Sequence, residues 1–299
     1  MTAHEGPPAG APFPWGRRTC VVGIVNASPD SFSGDGLPDA AAAVALGLRL
    51  ADEGADLLDV GGASTRPGAA PVDPDEERRR VLPVVSALAA RTALPLSVDT
   101  TSAAVAREAL AAGAAVINDV SALAADPLLA GAVRRAGATV VLMDNRLTAP
   151  GVAPTWQAPR VPPGEDIVAA VGAHLSARVA AARRAGIAPG RIVVDPGLGF
   201  GKTTTQSLAL LRHLALLGRH PGLAGLPLLV GPSRKGFIGR VLDLPVAERL
   251  EGTLAAVALA VAGGAAAVRV HDVRATVRCC RLADAVVRGR IPVGGQDGG

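Results

Sequence analysis

Aromatic side chains are scarce in this chain of 299 residues, which has no tyrosine, four phenylalanines and two tryptophans. Hydrophobic residues still make up 49% of the sequence, and most of them are alanine, valine and leucine. This composition supplies ample material for a large core, but little for the aromatic-rich interior of many β-sandwiches. It favours buried helices and parallel strands.

Cysteine is also rare, with Cys20, Cys279 and Cys280 as the only three in the sequence. Their spacing matches neither a zinc site nor a disulfide framework, and the adjacent pair would be strained in a bond to each other. Zinc-binding modules and small disulfide-rich secreted proteins are therefore disfavoured. The sequence predicts reduced thiols and a cytoplasmic location.

No apolar run is long enough to cross a membrane as a helix. The longest, Leu254–Val268, has 15 residues and contains two adjacent glycines, whereas a spanning helix needs about 20 apolar residues. Residues 1–18 are rich in proline and glycine and lack the apolar stretch of a signal peptide. We therefore expect a flexible leader at 1–18, one folded domain at 19–290 and a flexible tail at 291–299.

Lysine is nearly absent, because only Lys202 and Lys235 occur and arginine supplies the other positive charges. The formal net charge is +4 and the isoelectric point is about 9.6. The densest basic run, Arg78–Arg80, directly follows three acidic residues at 75–77, a pattern typical of a solvated helix face. The sequence thus predicts no nucleic-acid surface, although a mild positive field suits an anionic small substrate.

Short apolar segments of strand character alternate with longer segments of helical period along the chain. The predicted strands are Cys20–Asn26, Asp56–Gly61, Leu94–Asp99, Ala115–Val120, Thr139–Met143, Arg191–Asp195, Leu226–Gly231 and Ala265–His271. The predicted helices lie near residues 38–53, 75–91, 101–112, 127–136, 165–186, 205–218, 245–263 and 272–288. Eight β-then-α units in about 270 residues are typical of a single (β/α)8 TIM barrel of the α/β class. An open, doubly wound sheet is the alternative.

Glycine followed by alanine precedes four of the predicted strands, at Gly54, Gly113, Gly137 and Gly264. Glycine in this position is predicted to end a helix, and the next residues to begin an apolar strand. The recurrence marks repeated helix-to-strand junctions, and its irregular spacing argues against a solenoid. The segment 148–164, by contrast, is predicted to be one long loop after the fifth strand.

Polar residues close nearly every predicted strand at its carboxyl end. They are Asn26, Asp59, Asp99, Asn118, Asp119, Asp144, Asp195, Ser233, Arg234, Lys235, Arg269 and His271. In TIM barrels the active site lies at this end of the strands. The pattern predicts an enzyme site on one rim of the barrel, without naming its substrate.

Two segments near the last two strands predict an anion site. Residues 231–236 read GPSRKG and lead into a helix, where free backbone N–H groups and a basic side chain bind anions. Arg269 and His271 are alternate residues of the eighth strand and so face the same side. The glycine-rich segment 197–203 is not a P-loop, because one residue too few separates its first glycine from the glycine-lysine pair.

Eight segments together resemble the dihydropteroate synthase family, over about residues 20 to 288. In chain order they read GIVNASPDSFSGDG, GADLLDVGGASTRPGA, LPLSVDT, AGAAVINDVSAL, VVDPGLGFGKT, LLVGPSRKGFIG, ERLEGTLAAVALA and VRVHDV. The resemblance implies an enzyme that joins a pterin pyrophosphate to p-aminobenzoate in folate synthesis and releases pyrophosphate. It also implies Mg2+ as the cofactor, and a homodimer is common in such families.

The resemblance further implies how the pterin would bind. Asp99, Asn118 and Asp195 would line a deep pocket for it. Lys235 would face the acceptor side of the pterin, and Met143 would add an apolar wall. The amino-pyrimidinone edge of a pterin presents adjacent donors, which a carboxylate can accept in a paired, charge-assisted way.

The leaving group has its own implied contacts. Arg66, Arg269 and His271 would grip the pyrophosphate and stabilise the charge that builds on it. Asn26 would hold Mg2+, which typically joins few protein oxygens to substrate phosphates. With Lys235, these four are the predicted catalytic residues.

The second substrate, p-aminobenzoate, would bind under two loops and near the helix that follows Lys235. Its arylamine needs no strong base, so no Ser-His-Asp arrangement is required. The two loops would close over its ring, and its carboxylate would lie near the basic segment after the seventh strand. The implied contacts are Phe32, Thr65, Arg66, Pro67, Phe200, Ser233 and Arg234.

Four positions depart from the family pattern, namely Gly34, Ala63, Asp144 and Gly236. Glutamate is frequent at position 63, and a Met-His motif usually follows the fifth strand. These departures bear on loop closure and on affinity for p-aminobenzoate, and sulfonamide tolerance is one hypothesis they raise. A pterin-binding paralogue with altered or lost p-aminobenzoate use is the first alternative. A pterin-dependent methyltransferase is the second, but it would have no pyrophosphate for Arg66, Arg269 and His271 to hold.

Overall fold

Eight parallel strands form a barrel with the helices packed around its outside. The fold is taken from a computed structural model, which describes residues 16–27, 39–63, 72–145 and 164–289. The strands are β1 (Cys20–Asn26), β2 (Leu57–Gly61), β3 (Leu96–Asp99), β4 (Val116–Asp119), β5 (Thr139–Met143), β6 (Ile192–Asp195), β7 (Leu229–Val230) and β8 (Ala267–Val270).

Strands that follow one another in the sequence are neighbours in the sheet from β1 to β6 and again for β7 and β8, and β1 also pairs with β8. A parallel bridge between Val194 and Leu228 joins β6 to the start of β7, and the Val194 amide donates to the Pro227 carbonyl at 3.0 Å. This contact closes the barrel. The TIM barrel predicted from the sequence is thereby confirmed, and an open, doubly wound sheet is excluded.

Each predicted helical segment contains a helix. The helices of the described residues are α1 (Ala40–Asp52), α2 (Pro74–Ala89), α3 (Ala103–Ala111), α4 (Leu129–Ala136), α5 (Ile167–Arg184), α6 (Thr204–Arg212), α7 (Leu214–Gly218), α8 (Gly236–Leu242), α9 (Leu250–Ala262) and α10 (Val273–Arg288). The segment predicted as one helix at 205–218 is interrupted at His213, and a 3-10 turn at Val246–Glu248 precedes α9. None of these helices is long and apolar enough to span a membrane.

The four glycine-alanine junctions share one backbone motif. In each, the glycine has a positive φ, for example 97° at Gly54 and 93° at Gly264. At the first junction the Gly54 amide donates to the Ala51 carbonyl, and the Ala55 amide donates to the Leu50 carbonyl. This is the Schellman pattern of helix termination, which requires a residue with little penalty for positive φ. The predicted role of these glycines is confirmed.

The barrel interior is apolar at its base and polar towards the carboxyl ends of the strands. The base is a cluster of Cys20, Val22, Leu57, Val116, Val141, Val193, Leu229 and Ala267. Two residues further along four of these strands stand Asp59, Asn118, Asp195 and Arg269. Because alternate strand residues share a face, each polar residue lies directly above an apolar one. The base keeps water from the lower interior and leaves the upper layer for a site.

A carboxylate at the opposite end of the barrel ties the first strand to the last helix. Asp284 on α10 accepts hydrogen bonds from the Thr19 amide at 2.8 Å and from the Thr19 hydroxyl at 2.9 Å. Arg288 donates to the same carboxylate at 2.7 Å. Since Asp284 is buried, its loss would leave these donors without an acceptor.

We expect Asp284→Ala to lower the free energy of unfolding by about 2–3 kcal/mol, because buried donors lose their charged acceptor. Urea unfolding with an unchanged m-value would measure it. The matched control is Asp52→Ala, which removes an exposed carboxylate at the end of α1 and should change stability by about 0.5 kcal/mol or less. Equal effects of the two substitutions would contradict the assigned role.

Candidate active site

A guanidinium and two carboxylates form the floor of the site. Arg269 on β8 donates from Nε to Asp59 Oδ2 at 2.6 Å and from Nη2 to Asp99 Oδ2 at 3.2 Å. Asn118 on β4 donates from Nδ2 to the same Asp59 oxygen at 3.1 Å. Asp59 is 1% exposed, and its Oδ1 has no hydrogen-bond partner within the described residues. The floor is therefore charged and largely desolvated, and Asp59 Oδ1 can accept a hydrogen bond from a further donor.

Desolvation shifts the ionisation of three groups around this floor. Burial raises the pKa of Asp99 to about 7, against the opposing effect of Arg269. Burial likewise raises the pKa of Asp195, with Lys235 opposing. Burial lowers the pKa of Lys235 to about 7, although Asp195 favours its charged form. Such opposed shifts of neighbouring acids and bases are typical of binding and catalytic sites.

Lys235 precedes α8 and reaches across to the loop that follows β6. Its Nζ donates to the Leu198 carbonyl at 2.5 Å and lies 4.5 Å from the centre of the Phe200 ring. Gly197, with a φ of 63°, allows the backbone turn that brings Leu198 and Phe200 to Lys235. A Cβ on Gly197 would come within 2.1 Å of the Asp144 carbonyl oxygen, so only glycine fits there.

The segment between β7 and α8 contacts the end of β8. Ser233 Oγ lies 2.8 Å from His271 Nδ1, and the His271 amide donates to the same hydroxyl at 3.2 Å. Where the hydroxyl donates to Nδ1, the ring proton lies on Nε2. Arg234, at a positive φ of 55°, pairs with Asp272 through Nε and Nη2 at 3.0 and 2.7 Å.

The structure brings most of the predicted site residues into one region. Asp99, Asn118, Asp195 and Arg269 share the barrel interior, and Lys235 joins them from the β7 loop. Met143 is buried at the end of β5 and is in register with Asp195. Asn26, Phe200, Ser233, Arg234 and His271 lie at the same carboxyl rim. Phe32, Thr65, Arg66 and Pro67 lie outside the described residues, as do Gly34, residues 1–15, the tail at 291–299 and most of 148–164.

Asp59 belongs to the site, although the sequence predicts no role for it beyond that of a polar residue at a strand end. It shares a face with Leu57 and so points inward. Arg234 was predicted near the p-aminobenzoate carboxylate, and the structure shows its guanidinium already engaged by Asp272. Local sequence patterns could not reveal either partner, since the paired residues lie 210 and 38 positions apart in the chain.

The comparison with protein families gives the class of this barrel. The family described as "Pterin binding enzyme" matches residues 22–271. The floor described above, with its carboxylates, amide and guanidinium inside a TIM barrel, lies within the matched region. The chain is a barrel of the pterin-binding class.

Individual relatives narrow the class to one family. The chain is 43% identical to the dihydropteroate synthase of Synechocystis over 92% of this chain and 93% of that protein. It is 44% identical to the dihydropteroate synthase of Mycobacterium leprae over 89% of this chain and 92% of that protein. The structure of the Xanthomonas albilineans enzyme with 4-aminobenzoic acid has a TM-score of 0.79 at 46% identity, covering 90% of this chain and 93% of that one.

The Yersinia pestis dihydropteroate synthase in a sulfonamide complex has a TM-score of 0.83 at 38% identity, covering 91% and 95% of the two chains. This chain belongs to the dihydropteroate synthase family, whose members are transferases of folate biosynthesis. The family, the enzyme class and the fold predicted from the sequence are confirmed.

The shifted groups of the floor predict an unusual pH profile of stability. Asp99 holds its proton more tightly in the folded protein, where its pKa is about 7, than in the unfolded chain, where it is near 3.8. Its contribution to stability is therefore lost as pH rises from about 4 to 7. Lys235 holds its proton less tightly in the folded protein, because burial disfavours its charged form. The stability lost by burying that charge is regained as pH rises from about 7 to 10.5.

Urea unfolding of the wild type and two variants across this range tests the profile. Asp99→Asn should flatten the fall in stability below pH 7, and Lys235→Met should flatten the recovery above it. Each group can contribute a slope of at most about 1.4 kcal/mol per pH unit. Variant profiles that run parallel to the wild type would show that these pKa shifts do not exist.

Proposed function

We propose that this chain condenses 6-hydroxymethyl-7,8-dihydropterin pyrophosphate with p-aminobenzoate to give 7,8-dihydropteroate and pyrophosphate. The observation that carries the proposal is the polar layer inside the barrel, with two carboxylates bound to Arg269 and a third, Asp195, beside Lys235. Solved structures of a relative with 4-aminobenzoic acid and with 7,8-dihydropteroate support the proposed second substrate and the proposed product.

The polar layer suits the edge of a pterin ring. Asp99 and Asp195 can accept from adjacent ring and amino N–H groups, and a ligand that donates to an ionised carboxylate stabilises its charged form. Lys235 can donate to the acceptor side of the ring. Asp59 adds an oxygen whose hydrogen-bonding capacity is unused within the described residues. A planar ring with donors on one edge and acceptors on another would match this arrangement.

The pyrophosphate would leave near His271. In the reaction the amine nitrogen attacks the methylene carbon, the carbon–oxygen bond to pyrophosphate breaks, and the amine loses a proton. His271 can donate from Nε2 in the tautomer whose Nδ1 accepts from the Ser233 hydroxyl. Arg269 supplies a fixed positive charge nearby, and a cation held in place costs no reorganisation when the leaving group gains charge. Arg66 is proposed to assist from outside the described residues.

The second substrate would bind between the rim and the two loops of the first and second strands. Phe200 lies over Lys235 and offers a flat apolar surface beside the proposed pterin position. Ser233 and Arg234 remain proposed contacts for the carboxylate, with the Arg234 charge shared with Asp272. Phe32 and residues 65–67 are proposed to close over the ring.

Mg2+ is the proposed cofactor. Asn26 ends β1 at the carboxyl rim, in register with Gly61 of β2, and it offers one amide oxygen. This fits an ion that binds few protein oxygens and takes further ligands from substrate phosphates and water. When bound, the ion would neutralise charge on the departing pyrophosphate.

Pyrophosphate release from the pterin substrate, measured with and without p-aminobenzoate, tests the proposed function. Release that requires p-aminobenzoate, yields dihydropteroate and stops on chelation of Mg2+ is the expected result. Pterin binding without turnover would indicate a paralogue with altered second-substrate use, to which Ala63 and Asp144 would contribute. Binding of methyltetrahydrofolate without pyrophosphate release would indicate a methyltransferase.

The contact between Ser233 and His271 yields a separate prediction. Ser233→Ala should lower kcat/KM for the pterin pyrophosphate about tenfold, because His271 loses the hydrogen bond that orients its ring. If the hydroxyl acts through the ring, the same substitution should change little in a His271→Ala background. Additive losses in the double variant would show instead that Ser233 contacts the substrate independently.

We further propose that the enzyme is a cytoplasmic homodimer. Its three cysteines are unpaired, as expected in a reducing compartment. Leu259 on α9 and Leu282 and Val286 on α10 are 58%, 70% and 76% exposed, and apolar surface of this kind is common at subunit interfaces. Light scattering in solution would distinguish the dimer from a monomer.

A further inference from the structure

Two opposite charges lie fully buried beside the proposed pterin pocket. The side chains of Asp144 and Lys202 are both 0% exposed, and Lys202 Nζ lies 2.8 Å from Asp144 Oδ1. The other carboxylate oxygen, Oδ2, lies 2.8 Å from Nδ1 of His174 on α5. A buried ion pair is costly to form, so its presence at the edge of a site suggests a role other than stability. The substrate and cofactor contacts proposed above include none of these three residues, and Asp144 has been considered only as a departure from the family pattern.

The pair joins two segments that border the site. Asp144 directly follows β5, whereas Lys202 ends the glycine-rich loop after β6. Lys202 Nζ donates to the carbonyls of Asp144, Gly197 and Phe200 at 2.8, 3.0 and 3.1 Å. The Asp144 amide in turn donates to the Asp195 carbonyl at 2.9 Å. One ammonium group therefore organises the carbonyl groups of both segments, and Asp144 balances its charge.

The loop organised in this way is the one that holds Lys235. Leu198 and Phe200 lie between Gly197 and Lys202, and their carbonyl group and ring respectively contact Lys235 Nζ. A shift of this loop would thus move both contacts at once. The proposed pterin ligand Asp195 begins the same loop, so its orientation depends on the same anchor.

We propose that Asp144 and Lys202 form a positioning pair, which fixes the loop of residues 195–202 so that Lys235 and Asp195 face the pterin. The pair acts through these two residues and does not touch substrate. His174 completes the hydrogen bonding of the Asp144 carboxylate. The inference rests on the proposed function for the identity of the ligand, and on the contacts above for the role of the pair.

Steady-state kinetics of Asp144→Asn, Lys202→Met and the double variant test this role. Each single variant should raise KM for the pterin pyrophosphate about tenfold, because charge-assisted bonds that hold the loop are lost. KM for p-aminobenzoate should change about twofold or less, since its proposed contacts lie mainly on other segments. Matched controls are Arg78→Met and Glu108→Gln, which break an exposed ion pair between α2 and α3 and should leave both KM values unchanged.

The double variant separates positioning from simple stability. Removing both charges leaves no unpaired buried ion, so its thermal stability should exceed that of either single variant. Its KM for the pterin pyrophosphate should nevertheless stay raised, because the three carbonyl groups still lack the ammonium. Recovery of both stability and KM would overturn the proposal, as would equal increases in both KM values. If Lys202→Met fails to fold, Asp144→Asn carries the test, because it retains the shape of the side chain.

Calorimetric titration with the pterin pyrophosphate alone distinguishes this inference from the proposed function. A wild type that binds the pterin pyrophosphate without turnover would contradict the synthase activity, and weaker binding by the variants would still support the positioning pair. A wild type that turns over, with variants indistinguishable from it in binding and KM, would overturn the pair alone. A wild type that neither binds nor turns over the pterin pyrophosphate would overturn both.

Discussion

The balance of charge inside the barrel is the constraint on which the site depends. Arg269 lies on the last strand, and its guanidinium holds carboxylates from β2 and β3, at Asp59 and Asp99. Each of these charges would cost several kcal/mol if it were buried alone. The apolar layer beneath excludes water and strengthens the forces between them. One side chain therefore links the strands on the two sides of β1, with β8 on one side and β2 and β3 on the other. Its charge also favours the ionised form of Asp99.

The interior faces of the strands could be predicted from the sequence because they follow a two-residue period. Leu57 precedes Asp59 by two positions, and Ala267 precedes Arg269 in the same way. The partners of these residues could not be predicted, since the contact between Asp59 and Arg269 spans 210 residues. It exists because β1 pairs with both β2 and β8 and so brings the second and last strands close together. Arg234 illustrates the same limit, for its partner belongs to the next βα unit and no local pattern identifies it.

Helix ends were predictable wherever the backbone itself required a particular residue. At Gly54 and Gly264 a positive φ ends the helix, and glycine adopts it at little cost. The break at His213 between α6 and α7 had no such signal, because the glycine of the segment, Gly218, stands at the end of α7 and not at the break. Both short helices pack against α5, so tertiary contacts accompany the break. The sequence thus predicts those boundaries that local conformation determines and misses those that tertiary contacts determine.

The two lysines of the chain show how one loop can hold one cation firmly and keep another available. Lys202 also lies in the segment that superficially resembles a P-loop, and its ammonium is bound by backbone carbonyls and a buried carboxylate. A cation so fully engaged contributes rigidity and has little left for a substrate. Lys235 has a pKa lowered to about 7 by desolvation, so its charged form gains most from an added acceptor. Because Lys202 holds the loop that contacts Lys235, the buried lysine would set where Lys235 meets a pterin in the proposed function.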